Sequence, residues 1–271
     1  AGTLDPQATG VLICCINRAT KLARFLLYGR KKYLAVLQLG HETDTQDATG
    51  EIIATHDVGP ITDKQIREAF KQFEGGYRQT PPAFSALKHK GQPLYKYARR
   101  GKVVQKPPRD IDIESLQIGS IDLPCIQFEV ACTAGTYVRT LCTDIGKKLG
   151  CGGHLKALRR LESSGFSIDE AISMPDCLKL SEAGMLSERI VPMADALRNI
   201  PGYVVNKTLT DKVKHGRMLI KNDLPGLMAA NSPELFKLLD SDNKLIAVAG
   251  VHKTENRIKY HCGFNTESMQ L

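Results

Sequence analysis

The feature that most constrains this chain is its opening stretch, where Asp5 stands directly before Pro6 and an apolar run follows at 11–16. A residue that precedes proline is held in extended or turn backbone conformations. The apolar run, with its β-branched members, predicts a buried strand. The sequence therefore predicts a carboxylate held on a bend beside a strand, either as an ordinary turn residue or as a reactive group.

The size and composition of the chain predict a soluble globular protein. Its 271 residues suffice for one large domain, or for one large and one small domain. Hydrophobic residues make up 42% and charged residues 24%, as in ordinary proteins with a real core. The apolar runs are all shorter than the roughly 18 residues that span a bilayer, and the start does not resemble a signal peptide. Because the chain begins at Ala1 and enters a tight motif at once, we expect residues upstream of it to be missing.

The cysteines predict a reduced, cytoplasmic protein without a metal. Apolar neighbours predict buried free thiols at four of the eight cysteines: Cys14, Cys15, Cys132 and Cys142. Cys151 and His154 form one C-x-x-H pair, and a second pair is missing. Since structural zinc takes four ligands, we predict no metal site.

The net charge of +8 comes entirely from the segment 88–109, which we call the basic segment. It holds eight Lys or Arg and no acidic residue, whereas the rest of the chain has 29 of each sign. Tyr95 and Tyr97 lie among these cations. Cations that meet phosphates, next to aromatic rings that stack on bases, are typical of RNA-binding surfaces. A solvated basic loop is the alternative interpretation.

Hydrophobic periodicity predicts the main elements of the chain. We expect helices at 62–73 (with a capping box), 137–149 and 155–161, a central strand at 33–39, and further strands at 111–118 and 126–132. The glycines at 150–153 predict either a turn or a phosphate cradle at the start of the helix 155–161. After 199–202 the composition changes, and strands at 245–251 and 258–264 predict a small β-rich module.

Several motifs, taken in order, resemble those of the TruB family of pseudouridine synthases. They are GTLDP with ATGVL at 2–12, KY at 32–33, TDTQDATG at 43–50, PAFSALK at 82–88, GTYVRTL at 135–141, and CGGH through LRRL at 151–161. The resemblance covers residues 1 to about 195, and the tail more weakly. The family also has a Gly-His pair and a Lys-Pro strand before its first motif, and neither is present here.

The resemblance implies an α+β protein with the pseudouridine synthase fold. A mixed β-sheet flanked by helices would form the catalytic domain at 1–198, with an RNA-gripping insertion at about 78–109. A small PUA-like RNA-binding domain, rich in β-structure, would follow at 199–271.

The resemblance also implies the roles of five site residues. Asp5 would be the catalytic nucleophile, since a carboxylate can form and release a covalent intermediate. Arg139 would pair with Asp5 and keep it ionised. Tyr33 would pack on the uracil, and Tyr137 and Leu158 would line the uridine pocket. Tyr33 and Leu158 also fit as core residues, and Arg139 as a surface arginine of its helix. No cofactor is implied.

The implied substrate is uridine 55 in the TΨC loop of a tRNA, flipped out of its stack. The basic segment would grip the T arm through five cations, Lys88, Lys96, Arg99, Arg100 and Lys102. A monomer is expected, without an obligatory protein partner or membrane contact. Two alternatives stay open: a guide-RNA-dependent relative like dyskerin, and an RNA-binding or tRNA-folding protein whose chemistry is incidental.

Overall fold

The computed structural model describes residues 1–224, 233–251 and 256–264, which form two compact units. The larger unit comprises Gly2–Ile13 and Leu27–Ala171. The smaller unit comprises Ala1, Cys14–Leu26 and the described residues from Ile172 onward. Residues 172–198 thus group with the predicted C-terminal domain, and the boundary after residue 198 stays a prediction. Parts of that domain (225–232, 252–255 and 265–271) lie outside the described residues.

A mixed β-sheet forms the centre of the larger unit. The strands of this unit are β1 (Thr9–Gly10), β2 (Lys31–Leu39), β3 (His41–Thr43), β4 (Ile52–Thr55), β5 (Gly75–Gln79), β6 (Lys88–His89), β7 (Gln92–Pro93), β8 (Arg109–Asp122), β9 (Cys125–Cys132), β10 (Gly153–Ser163) and β11 (Phe166–Ser167). Seven of them form the main sheet in the order β1-β10-β2-β9-β8-β5, with β11 paired to β10. β1 runs parallel to β10, and the other pairs of this sheet are antiparallel.

Seven α-helices lie along the described part of the chain. They are α1 (Ala23–Leu27), α2 (Asp63–Lys71), α3 (Leu94–Ala98), α4 (Val138–Leu149), α5 (Met174–Glu182), α6 (Met193–Ala196) and α7 (Lys207–Lys214). Short 3-10 turns lie at Asn17–Leu22, Ile168–Glu170, Leu186–Arg189 and Lys221–Asp223. No helix in the described residues is both long and apolar enough to cross a membrane.

Most of the predicted elements of the larger unit are confirmed. β2 is central, between β10 and β9, and buries every second residue from Tyr33 to Leu39. β8 and β9 match the two predicted strands, and α4 covers 138–149 of the predicted helix. The predicted capping box begins α2, because Thr62 Oγ1 accepts from Gln65 N and Gln65 Oε1 accepts from Thr62 N at 2.8 Å. The buried faces of β2, β9 and α4 share one core.

The smaller unit has its own sheet and its own core. Its strands are β12 (Gly202–Val204), β13 (Phe236–Leu239), β14 (Leu245–Val251) and β15 (Ile258–Gly263), hydrogen-bonded in chain order. The two predicted strands of the β-rich module are thereby confirmed. Lys21 Nζ donates to the carbonyl of Gly263 at 3.3 Å, and Arg24 donates to that of His261. These cations satisfy carbonyls on the edge strand β15, an edge that would otherwise be open to pairing.

The helix predicted at 155–161 is wrong, because these residues belong to β10. Leu155 and Leu158 are both buried at a spacing of three, which imitates helical periodicity. A bulge between Leu155 and Ala157 shifts the strand register by one residue, so both leucines face the core. Since a helix does not follow the glycines at 150–153, the phosphate cradle is also wrong. Gly150 instead ends α4 in the left-handed conformation, at φ 83°, and the turn interpretation is correct.

The strand predicted at 11–16 is also wrong. Thr9 and Gly10 pair with β10 and Val11 N donates to Arg160 O at 2.9 Å, but the carbonyl of Val11 is taken by the side chain of Arg160 instead of a neighbouring strand. Beyond Val11 the run lies at the surface, where Leu12 is 50% and Ile16 is 49% exposed. Of the thiols predicted to be buried, Cys132 and Cys142 are buried, Cys15 is half-buried and Cys14 is exposed. Apolar composition alone does not distinguish a buried strand from an exposed connection.

Gly10 sets how closely β1 approaches β10. Its φ is 102°, and a Cβ at this position would lie 2.1 Å from the backbone oxygen of Arg160. We expect Gly10→Ala to lower the free energy of unfolding by more than about 3 kcal/mol, because backbone strain and a backbone clash add. Gly101→Ala is the control, since Gly101 has a φ of 71° with open space around it. The free energy of unfolding of this control should fall by only about 1 kcal/mol. Equal losses in urea unfolding of the two variants would show that the clash does not matter.

Candidate active site

The side chain of Arg139 lies at the centre of a buried polar cluster. Its Nε lies 2.9 Å and its Nη2 3.2 Å from the carboxylate of Asp5, and only the Nη2 contact is aligned as a hydrogen bond. Nη1 lies 3.5 Å from Asp47 Oδ2 and donates to the carbonyl of Thr45 at 2.9 Å. Nη2 also donates to the carbonyl of Phe84 at 2.9 Å. The guanidinium is therefore held in one orientation between two carboxylates.

The first turn of α4 places Arg139, and Gln79 anchors this turn. Gln79, at the end of β5, is 2% exposed. Its side-chain amide accepts from Tyr137 N at 2.8 Å and donates to Tyr137 O at 3.0 Å. Tyr137 is the extended residue before α4, so the amide fixes the backbone two residues before Arg139. A side chain held in this way satisfies backbone groups that the helix start leaves unpaired.

Asp47 is the most buried carboxylate of the cluster, at 4% exposed. Its Oδ1 accepts from Thr45 Oγ1 at 2.8 Å and from Thr49 N and Oγ1 at 3.0 and 2.6 Å. The backbone of this loop pairs with Leu155, through Ala48 N to Leu155 O at 2.9 Å. A carboxylate with this many donors is rigid. Asp47 can therefore hold Arg139 from the side opposite Asp5.

Asp5 is a half-buried carboxylate under opposing influences. Burial raises its pKa, the Arg139 charge and hydrogen bond lower it, and the charge of Asp47 raises it. Burial dominates, so the pKa of Asp5 lies above the ordinary value of 3.8. Arg139 counteracts this rise without cancelling it. The site therefore holds a weakly solvated carboxylate, which is more nucleophilic than one in water.

Two phenols and a leucine complete the surroundings of Asp5. Burial raises the pKa of Tyr33 to about 12, and the charge of Asp5 adds to this effect. Burial also raises the pKa of Tyr137, where Asp5 acts in the same direction. Leu158 on β10 is 9% exposed and pairs across the sheet with Ala35, two residues from Tyr33. The structure thus brings Tyr33 and Tyr137 close enough to Asp5 for its charge to act on them, and places Leu158 on the strand next to that of Tyr33.

Comparison with known proteins identifies the family. The family model described as TruB family pseudouridylate synthase (N terminal domain) matches residues 1–138. The chain belongs to the TruB family of pseudouridine synthases. The model described as tRNA pseudouridylate synthase B C-terminal domain matches residues 139–198. The two matches together cover the whole larger unit, which contains the cluster around Arg139.

Similar proteins named tRNA pseudouridine synthase B support this membership. The one from Syntrophus aciditrophicus is 39% identical over 254 residues, which are 92% of this chain and 80% of that protein. The one from Geobacter sulfurreducens is 41% identical over 249 residues, 92% of this chain and 82% of that protein. A chain in the crystal structure of a Cbf5-Nop10-Gar1 complex is 24% identical with a TM-score of 0.72, covering 96% of this chain and 73% of that one. This last likeness shows the fold alone, and the fold agrees with the predicted α+β pseudouridine synthase class.

The RNA-binding residues expected from the TruB resemblance lie on the surface of the basic segment. All five are exposed, on or beside the β6–β7 hairpin and α3: Lys88, Lys96, Arg99, Arg100 and Lys102. None of them forms an ion pair with an acidic side chain in the described residues. The guanidinium of Arg99 lies over the ring of Tyr95, 5.5 Å from its centroid. The segment thus has a defined fold whose cations remain available to an external anion.

Sequence reasoning assigned no role to Asp47 or Gln79. The signal for Asp47 was a polar loop at 43–50 that follows the central strand and contains three Thr and two Asp. Gln79 has no comparable signal, since one glutamine before a Pro-Pro pair is unremarkable. The C-x-x-H pair serves packing: Cys151 Sγ contacts Gly152 O, and His154 Nδ1 donates to His41 O at 2.9 Å. In the described residues, no three His, Cys, Asp or Glu side chains converge as a metal site would require.

The raised pKa of Asp5 predicts a stability effect with a defined sign. Ionised Asp5 is less stable in the folded than in the unfolded chain, so it costs stability at neutral pH and none well below pH 3.8. We expect Asp5→Asn to raise the Tm at pH 7, by about 2–4 °C for each kcal/mol of destabilisation that the substitution removes. At the lowest pH where the protein stays folded, its Tm should equal that of the parent. Asp47 remains beside Arg139 in this variant, so the guanidinium stays paired.

Scanning calorimetry at pH 7 and at the lowest pH where the protein stays folded measures this difference. Asp110→Asn is the control, because the Asp110 side chain is 93% exposed and the substitution should leave the Tm unchanged. A lower Tm for Asp5→Asn at pH 7 would contradict the stated balance of burial and charge.

Proposed function

We propose that this TruB-family enzyme converts uridine 55 in the TΨC loop of tRNA to pseudouridine, with Asp5 as the nucleophile. The observation that carries the proposal is the buried ion pair between Asp5 and Arg139 within a family of pseudouridine synthases. Asp5 is the carboxylate of the cluster with access to substrate, since its side chain is 33% exposed and that of Asp47 only 5%.

The chemistry requires a nucleophile, a support for the base and control of protons. The bond between the sugar C1′ and uracil N1 breaks, the uracil turns, and C1′ bonds to uracil C5. C5 then loses its proton and N1 takes one up, so that the product is an isomer of the substrate. Asp5 forms a covalent intermediate that is released at the end, so no cofactor is needed. Arg139 holds the carboxylate in place and supplies positive charge next to the departing base. Tyr33, with a pKa of about 12, stays protonated at neutral pH and packs its ring on the uracil.

The tRNA substrate is supported by the relatives and by the basic segment. The relatives at 39–41% identity are named tRNA pseudouridine synthase B. The exposed cations of the basic segment can bind the phosphates of the T arm. Tyr95, whose ring already lies against the guanidinium of Arg99, adds an aromatic ring of the kind that stacks on RNA bases. The target base must leave its stack to reach Asp5. We assign the sheet β12–β15 to a PUA-like domain that adds contacts to the RNA backbone, and we expect a cytoplasmic monomer.

The guide-RNA-dependent alternative is not favoured. The chains in the structures of a Cbf5-Nop10-Gar1 complex and of an H/ACA RNP are only 24% and 22% identical to this chain, whereas a relative named tRNA pseudouridine synthase B is 47% identical. The match of residues 139–198 to the C-terminal domain of tRNA pseudouridylate synthase B points the same way. An RNA-binding protein with incidental chemistry would not need a carboxylate held by a buried arginine.

Tritium release from tRNA labelled at uracil C5 tests the proposal, because forming the C–C bond expels this hydrogen. We expect the parent to release one tritium per tRNA and a transcript with cytidine at position 55 to release none. Asp5→Asn should abolish release while binding tRNA with nearly the parent Kd, since Arg139 and the basic segment are intact. Asp110→Asn should react like the parent. Turnover by Asp5→Asn would overturn the nucleophile, and turnover on the cytidine-55 transcript would overturn the position.

The role of the basic segment is tested by salt dependence. We expect Lys96→Gln, Arg99→Gln and Arg100→Gln together to weaken tRNA binding and to reduce the slope of log K against log salt by roughly one unit per lost phosphate contact. The control makes the same change of charge at three exposed positions of α2, with Lys64→Gln, Arg67→Gln and Lys71→Gln. Equal slopes for both triple variants would make the segment a solvated loop.

A further inference from the structure

A second buried arginine, outside the cluster of Asp5 and Arg139, has no role in the proposed chemistry. Arg160 on β10 is 1% exposed and is the largest of the fully buried side chains in the described residues. None of the ion pairs in the described part of the chain includes it. A buried guanidinium without a carboxylate is costly unless its N–H groups find acceptors. Its acceptors therefore indicate what it does.

The acceptors of Arg160 lie on both sides of Asp5 along the chain. Nη2 donates to the carbonyl of Gly2 at 3.1 Å, and Nη1 lies 3.5 Å from that of Thr3. Nε donates to the carbonyl of Val11 at 2.6 Å. Between these two legs the chain makes the turn that carries the nucleophile, closed by Ala8 N to the Asp5 carbonyl at 2.9 Å. One planar, forked side chain thus ties the two ends of the nucleophile turn together.

Arg160 also lies next to the residue that supports the uracil. Arg160 and Tyr33 are directly opposite each other on β10 and β2, and both are buried. The guanidinium lies close enough to the Tyr33 hydroxyl to oppose, in part, the rise of its pKa. Leu158 is two residues before Arg160 on the same strand and is also buried. Arg160 therefore contacts both the turn that carries Asp5 and the Tyr33 side of the proposed uridine pocket.

We propose that Arg160 is a positioning residue for the isomerisation, which holds the Asp5 turn at a fixed distance from Tyr33 and Leu158. The proposal rests on Asp5 being the nucleophile. A reacting carboxylate must be placed to within a fraction of an ångström, and a displacement of 1 Å can lower the rate about 100-fold. Arg139 orients the carboxylate itself, whereas Arg160 fixes the backbone that bears it.

The two arginines contact different parts of the Asp5 turn, so their variants should differ in kcat and in the pH profile. Arg139 contacts the Asp5 carboxylate and lowers its pKa, whereas the N–H groups of Arg160 contact the backbone carbonyls on both sides of Asp5. We expect Arg160→Met to lower kcat about 100-fold. Its Kd for tRNA and the acid limb of its pH–rate profile should equal those of the parent. Arg139→Gln should move that limb to higher pH. Arg160→Lys should be no better than Arg160→Met, because one ammonium cannot reach both legs of the turn.

Measurements on the folded protein separate positioning from general stability. Methionine fills a similar volume without a charge, so Arg160→Met should keep a cooperative unfolding transition. Its backbone amides at 2–11 should exchange with deuterium faster than in the parent, while those of α4 stay protected. Arg159→Met is the control: Arg159 is exposed on the same strand, and its variant should keep the parent kcat.

Each outcome decides the matter. Parent kcat in Arg160→Met, full rescue by lysine, or unfolding of both variants would overturn the positioning role, the last because it makes the residue purely structural. A shifted acid limb in Arg160→Met would make its role electrostatic and overturn the proposal as well. Asp5→Asn, assayed alongside, separates the two hypotheses. If that variant stays active, the nucleophile is wrong, and the exchange of residues 2–11 still reports whether Arg160 holds the turn.

Discussion

The site depends on one buried guanidinium shared by two carboxylates. Arg139 faces Asp5 on one side and Asp47 on the other, and its remaining donors go to the carbonyls of Thr45 and Phe84. These four groups come from three separate segments of the larger unit, so the guanidinium joins the turn with Asp5, the loop after β3 and the segment after β5 to its own helix α4. A buried ion pair with this many hydrogen bonds is rigid. Loss of Arg139 would leave Asp47 as an uncompensated buried charge, whereas loss of the Asp5 charge leaves Arg139 paired with Asp47.

This arrangement destabilises the ionised form of Asp5. Burial raises its pKa although an arginine touches it, so the folded protein holds this carboxylate against an energetic penalty. Asp47 increases that penalty by its charge and at the same time keeps Arg139 in place. Active sites commonly trade stability for reactivity in this way. The rest of the larger unit, with its central β2 and the core between the sheet, α2 and α4, supplies the stability that the site gives up.

Sequence reasoning succeeded where local pattern and burial coincide, and failed where the backbone departs from regular geometry. A capping box and a single apolar face identify the helix α2 in the sequence, and a long apolar run identifies β2. β10 was mistaken for a helix because a bulge lets Leu155 and Leu158 share one face. The apolar run at 11–16 leaves the sheet after Gly10, since the Arg160 side chain replaces the next strand partner. A bulge or a side chain that replaces a strand leaves no periodic trace.

By itself the sequence determined the order of the motifs, the family they resemble, the carboxylate before Pro6 and the concentration of charge at 88–109. These are properties of single positions and short stretches. Only the tertiary structure decided that Arg139 is buried although it lies off the apolar stripe of its helix, that Asp47 and Gln79 support it, and that Arg160 binds carbonyls on both sides of Asp5. The reason is that burial and pairing of a charge depend on residues from 55 to 158 positions away in the chain, and composition carries no record of those partners.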